Sequence, residues 1–312
     1  MYKTLINKLN KYKNICIYRH VRPDGDAVFS QFALAQFIKD NFKGKHIEIC
    51  GEMEYDLLPY SNIPDDKLVR KSLVFVLDTA NSSRVDGHNF IYGDYLIKID
   101  HHIFIEKYAN LEIINEKCAS TTEVLSSIFF SKEFKNYKLS KQTCMYLYAG
   151  LLTDSNCFST SNTTSNTLMY ASKLAEIGEF DISALNNYLF DQELYKFKGI
   201  SLYRNCLKVE DGVGYIIADK KLLNKLKITF NEAKNAIDEF NHIKGLKIWS
   251  VFAYNKESGL FDGSVRSNKA FNINNICIRF NGGGHKNACG VKNLTLAQVK
   301  KLIKGLKDIA NN

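Results

Sequence analysis

Residues 95–102 read Tyr95-Leu96-Ile97-Lys98-Ile99-Asp100-His101-His102. The apolar run 95–99 reads as a buried strand, and it ends in one carboxyl and two imidazole groups. Histidine is scarce, with seven in 312 residues. Two adjacent histidines after an aspartate form a compact set of metal-ligating side chains. In open α/β sheets ligands bind beyond the carboxyl ends of strands, which is where this set falls.

The segments before it repeat the pattern. Residues 13–18 read as a buried strand, with four apolar or aromatic residues in a row (Ile15 to Tyr18), and pass into Arg19-His20-Val21-Arg22-Pro23-Asp24-Gly25-Asp26. Pro23 and Gly25 stop the strand in a tight loop. Residues 27–39 then take the helical period, with Phe29, Phe32, Ala33, Phe37 and Ile38 on one broad face. Residues 46–50 read as a second strand, and 73–77 as a third that ends at Asp78-Thr79-Ala80-Asn81. Helices are expected over 120–130, 139–152 and 167–177, the second running into Thr153-Asp154-Ser155-Asn156. Strands alternating with helices predict an α/β fold with a doubly wound, mainly parallel sheet.

His20, Asp24, Asp26, Asp78, Asp100, His101 and His102 all lie just past expected strand ends. Taken singly, each has a plainer role. Asp24-Gly25-Asp26 is a common turn, and Asp78 or Asp154 suits a helix N-cap. A shared position makes one site the more economical account. The donors are carboxylates and imidazoles, a set that suits hard divalent cations and manganese better than zinc. Two such ions roughly 3.5–4 Å apart serve phosphoryl chemistry.

Composition bounds the rest. The length suits two domains, and 45% hydrophobic with 24% charged residues is ordinary for a globular protein. No apolar run reaches the roughly 20 residues of a membrane span. The N-terminus lacks the pattern of a signal peptide, so a cytoplasmic location is expected. Eight cysteines without a C-x-x-C pair read as reduced, mostly buried thiols.

Charge divides the chain. Residues 1–187 carry 21 Lys and Arg against 22 Asp and Glu, whereas residues 188–312 carry 21 against 11. The basic half suits an anionic partner, although a solvated lysine surface would look the same. Residues 1–187 are expected as the metal-binding domain, 188–202 as a linker helix and 203–312 as a second domain. There strands (214–218, 246–254) alternate with helices (231–240, 295–309). Asn281-Gly282-Gly283-Gly284-His285 reads as a glycine loop whose N–H groups form an anion nest. Arg266, within Gly263-Ser264-Val265-Arg266-Ser267-Asn268, adds a guanidinium suited to phosphate.

These motifs resemble the DHH/DHHA1 phosphoesterases, especially the small bacterial bifunctional oligoribonuclease/pAp phosphatases. His20 to Asp26, Leu77-Asp78-Thr79, Asp100-His101-His102 and Thr153-Asp154-Ser155 match four family motifs in order. Gly282-Gly283-Gly284-His285 with Ala288-Cys289-Gly290 resembles the DHHA1 signature. Phe29 and Cys289 depart from the glycine and alanine usual there, which bears on pocket shape and substrate choice.

The resemblance implies a DHH domain, a smaller α/β DHHA1 domain and an active site in the cleft between them. It implies that His20, Asp24 and Asp78 hold one Mn²⁺, and that Asp26, Asp78, His101 and Asp154 hold a second, with Mg²⁺ or Co²⁺ as alternatives. Asp100 would orient His101, and His102 would face the scissile phosphate. Arg266, Ser267, Gly282, Gly283, Gly284 and His285 would bind the rest of the substrate.

The activity implied is hydrolysis of short RNA or DNA oligonucleotides (nanoRNA, linear dinucleotides such as pApA) to 5′-mononucleotides, or of pAp to AMP. A homodimer is implied by the family alone. A RecJ-like single-strand exonuclease and an inactive nucleotide-binding regulator stay open as alternatives.

Overall fold

A computed structural model describes residues 1–241 and 243–311. It divides into two compact units, Met1–Asp191 and the residues from Gln192 onward. The segment read as a linker, 188–202, is split between them. Ile200 and Tyr203 stand three residues apart on one helix, and they join the second unit's core. Asn312, the expected end of the second domain, lies outside the described residues.

The first unit runs α1 (Tyr2–Lys11), β1 (Asn14–Tyr18), α2 (Gly25–Asn41), β2 (His46–Ile49), α3 (Asp66–Val69), β3 (Ser72–Leu77), β4 (Tyr95–Asp100), β5 (Leu111–Ile114), α4 (Thr121–Phe129), α5 (Lys141–Asp154), α6 (Ser165–Gly178) and α7 (Ile182–Phe190). All five strands are parallel, in the order β2-β1-β3-β4-β5. The winding reverses between β1 and β3, which opens a crevice at their carboxyl ends.

Alternation decides which side chain faces which layer. Ile15, Ile17, Leu73, Phe75, Leu77, Ile97 and Ile99 join the main core beneath α2, α4 and α5. Cys16, Tyr18, Val74, Val76 and Leu96 form a second cluster on the opposite face with Val85 and Phe90. Burial on both faces is why the strands read as continuous apolar runs. In the main core the rings of Phe37 and Phe129 stack, with centroids 3.9 Å apart.

The second unit runs α8 (Leu194–Arg204), β6 (Lys208–Glu210), β7 (Val213–Ala218), α9 (Lys220–Leu226), α10 (Phe230–Asn235), β8 (Ile248–Asn255), β9 (Leu260–Ser267), α11 (Asn274–Ile278), β10 (Gly282–Gly284), β11 (Ala288–Leu294) and α12 (Leu296–Asn311). Its sheet has the order β10-β11-β9-β8-β7-β6, with β7 and β8 parallel and the other pairs antiparallel. Val299, Leu302, Ile303, Leu306 and Ala310 bury one stripe of α12 against it.

The glycine run differs from the expected loop. Gly282, Gly283 and Gly284 form β10, paired with Val291, Gly290 and Cys289. Ladder pairing with β11 holds them extended, so they are an edge strand rather than an anion nest. Gly284 has φ of 136°, and a Cβ there would lie 2.4 Å from the Ala288 carbonyl oxygen. Among the described residues, no helix is long and apolar enough to cross a membrane.

Candidate metal centre

The site is built at the winding reversal. His20 follows β1, and its Nδ1 lies 2.9 Å from the Val21 carbonyl oxygen. That contact turns Nε2 toward Asp78 Oδ2 at 3.4 Å and Asp24 Oδ2 at 3.6 Å. Asp24 is also the N-cap of α2, its Oδ1 accepting from the Ala27 N–H at 3.0 Å. Turn, cap and site therefore coexist, because the two carboxylate oxygens face different ways.

Asp78 follows β3 with φ of 54°, in the left-handed region. Such a conformation costs about 1–2 kcal/mol. Its N–H donates to the Ile99 carbonyl at 3.0 Å, which pins the turn to β4. The carboxylate is thereby buried between His20 and His101.

At the end of β4, His101 Nε2 lies 3.3 Å from Asp154 Oδ2 and 3.5 Å from Asp78 Oδ1. Its Nδ1 faces the Cys118 carbonyl at 3.3 Å. Here the expected role of Asp100 needs correction. Asp100 Oδ1 lies 2.8 Å from Nδ1 of His102, not of His101, and also accepts the His102 N–H at 3.2 Å. Asp100 is the last residue of β4, and its side chain meets the residue two positions on, while His101 turns toward Asp78 and Asp154.

Three sets of donor atoms each lie within 4.8 Å of one another: His20, Asp24 and Asp78; Asp26, His101 and Asp154; Asp78, His101 and His102. Two ligands each about 2.1 Å from one ion stand roughly 3.0–3.4 Å apart. The imidazole–carboxylate pairs here, at 3.3–3.6 Å, are close to that spacing and longer than ordinary hydrogen bonds.

Electrostatics points the same way. Burial, and then the charges of Asp78 and Asp154, push Asp26 well above the usual carboxylate range. Burial with Asp78 and Asp24 lifts Asp154 to about 8. Burial acts to raise Asp78 as well, but the imidazoles around it hold it low. Burial lowers His20, yet Asp24 and Asp78 outweigh it and carry the ring up to about 10. Asp24, Asp26, Asp78 and Asp154 repel in one cluster, with Asp26 and Asp78 fully buried, and cations would relieve that repulsion. The residues fit divalent metal ions.

Three contributors escaped the sequence reading. The N-terminus of α4 clamps Asp26: Oδ2 accepts from Thr121 N–H at 2.6 Å, and Oδ1 from Thr122 N–H at 3.0 Å and its hydroxyl at 2.8 Å. The Thr121 hydroxyl also donates to Asp78 Oδ1 at 3.0 Å. Gly150 leaves room for this clamp, since a Cβ would lie 2.4 Å from Thr122 Cγ2 and 2.9 Å from Asp26 Oδ1. The Ser120-Thr121-Thr122-Glu123 capping pattern signals a helix start, and Ser120 Oγ does accept from Glu123 N–H at 3.0 Å. Nothing local tells that this helix start faces Asp26.

The second unit holds the remaining residues of interest. Arg266 lies on β9 opposite Trp249 and Ala288, partly exposed, with Nη1 3.2 Å from the Val265 carbonyl. His285 is exposed in the turn between β10 and β11. The Ser267 hydroxyl donates to the Phe271 carbonyl at 2.8 Å and receives Asn287 Nδ2 at 2.9 Å, so it is already engaged in the fold.

Residues 14–151 match the DHH family, N-terminal domain, and residues 213–312 match the DHHA1 domain. Over 99% of its length the chain is 33% identical to a Streptococcus mutans protein named probable bifunctional oligoribonuclease and PAP phosphatase NrnA, covering 98% of that protein. The chain belongs to the DHH family. A Bacillus subtilis family member, named bifunctional oligoribonuclease and PAP phosphatase NrnA, is 29% identical, with 98% and 97% of the two chains covered. Among solved structures, an exopolyphosphatase-related protein from Bacteroides fragilis shares the fold, with a TM-score of 0.87 at 20% identity over 100% of this chain and 97% of that one.

Proposed function

We propose that this DHH-family protein is a two-metal phosphoesterase. It hydrolyses dinucleotides to pentanucleotides, such as pApA, to 5′-mononucleotides, and removes the 3′-phosphate of pAp to give AMP. The observation that carries the reading is the convergence of His20, Asp24, Asp26, Asp78, His101 and Asp154 on two sets of metal-spaced donors. Relatives of the same length named for these two activities support the substrate choice.

His20, Asp24 and Asp78 would hold one ion, and Asp26, Asp78, His101 and Asp154 the other, with Asp78 shared. Mn²⁺ suits this mix of carboxylates and imidazoles, and when bound supplies charge neutralisation and an acidified water at phosphorus. His102 lies beside these donors with its Nδ1 taken by Asp100. Burial lowers its pKa, but Asp100 and Asp78 outweigh it and raise it to about 9. In its protonated form the ring would donate its Nε2–H to a phosphate oxygen.

In the second unit, Arg266 and His285 would bind the substrate's other phosphate, with backbone from Gly282 to Gly284 beside it. The reading also carries a homodimer and a cytoplasmic location, which light scattering and cell fractionation test.

Purified protein with Mn²⁺ is incubated with pApA, a 5′-labelled RNA pentamer, a 24-mer and pAp, and the products are resolved by chromatography. Loss of pApA, the pentamer and pAp with the 24-mer spared is expected. Degradation of the 24-mer would make the protein a RecJ-like exonuclease, and no turnover with metal bound would make it a binding protein.

A further inference from the structure

Lys98 sits in the middle of β4 with no solvent exposure. A buried ammonium is costly unless it is paired, and an apolar residue would fill the same space without that cost. Its partners show what it connects. Leu96, Lys98 and Asp100 alternate onto one face of the sheet. On that face Nζ donates to the Ala80 carbonyl at 2.8 Å, lies 3.4 Å from Asp100 Oδ2 and sits 4.8 Å from the centroid of the Tyr108 ring.

Each of these contacts leads to the centre. Ala80 belongs to the turn that follows Asp78, and the Tyr108 hydroxyl donates to the Thr79 carbonyl in that turn at 2.7 Å. Asp100 Oδ2 is buried and, among the described residues, accepts no hydrogen bond, so the Lys98 ammonium is the opposite charge that faces it. The other oxygen, Oδ1, grips His102 at both Nδ1 and the main-chain N–H. The result is a continuous chain, Lys98 to Asp100 to His102, running from the sheet interior to a partly exposed imidazole.

We propose that Lys98 is a positioning residue for phosphoester hydrolysis: it anchors the Asp100 carboxylate, and Asp100 fixes the His102 ring toward the phosphate. This rests on the functional reading of His102 above. Groups that orient a site residue from behind typically matter by roughly 10–100-fold in activity. The competing account is that Lys98 only braces the Asp78 turn through Ala80, in which case its loss acts on metal binding instead.

The test is a double-mutant cycle on the full chain with Mn²⁺, reading kcat and KM for pApA, bound metal and thermal unfolding. The variants are Lys98→Met, His102→Ala and the pair. Lys98→Met is expected to lower kcat roughly 10–100-fold, with KM and bound metal within about twofold of wild type. In the His102→Ala background the same change is expected to lower kcat no further. An equal drop in both backgrounds, or loss of bound metal, would overturn the proposal in favour of the bracing role. An impaired His102→Ala beside an unimpaired Lys98→Met would overturn it alone, whereas His102→Ala with wild-type kcat would remove the reading of His102 and the proposal together. If Lys98→Met does not fold, Lys98→Gln takes its place in the cycle, since it keeps a donor for Ala80 without the charge.

Discussion

Residues 1–191 bury Asp26, Asp78, Asp100 and His20 at the carboxyl ends of a parallel sheet, whereas the second unit keeps His285 and Lys286 exposed in an antiparallel hairpin. The first arrangement is tense: like charges face one another out of water, and one carboxylate is aimed by a left-handed turn. The second is relaxed, because exposed polar groups are solvated and need no partner. Buried donors fixed by a rigid sheet suit chemistry at a single point. Solvated cations on an edge suit capture of an anion whose far end varies. The two units are therefore expected to respond differently to substitution.

The largest effect is expected at Asp78. Asp78→Asn should lower turnover of pApA by ~10³-fold or more, since several kcal/mol of charge stabilisation would be lost. Elemental analysis should show less bound metal, and retained turnover would break the division of roles.

Next, Phe37→Ala removes the ring stacked on Phe129 and should destabilise the first unit by about 3–5 kcal/mol. In calorimetry the second unit's transition should stay where it is, and a joint shift would mean that the two fold as one. Chelation sharpens the same contrast. With metal at about 100 times its Kd, removal should cost the first unit about 2.7 kcal/mol for each ion bound and the second nothing.

A smaller loss is expected from the clamp. Thr121→Val keeps the N–H bond to Asp26 but removes the hydroxyl on Asp78, and should cost roughly 10–100-fold in kcat. An unchanged rate would mean that the metal ions alone orient Asp78. The smallest effect is expected in the second unit. Arg266→Ala should raise KM for pApA about tenfold, for one lost charge-assisted bond, and leave kcat within about twofold. A fall in kcat alone would move Arg266 into the chemistry.

Much of this was legible in the chain because the signals are local. Apolar runs such as 73–77 and 95–99 reported buried parallel strands, and the acids and histidines after them reported the site. What was missed lacked a local signal. β5 is four residues long, and β9 carries Asp262, Gly263, Ser264 and Arg266, so neither shows an unbroken apolar run. The glycine run was misread because three glycines look flexible until a partner strand pairs with them. Asp100 was assigned to the wrong histidine because adjacency in sequence does not say which ring turns back toward it.

By itself the sequence determined the α/β class, the two-part organisation and the inventory of candidate metal ligands, since periodicity and strand-end position are properties of neighbouring residues. Only the tertiary structure decided how those side chains are held. Thr121 meets Asp26 across 95 positions, Gly150 makes space for that contact, and Lys98 meets Ala80 across 18. Such contacts arise when the sheet stacks β1, β3 and β4 side by side and brings their ends into one crevice. No local pattern encodes that convergence, because it follows from the order in which the strands assemble.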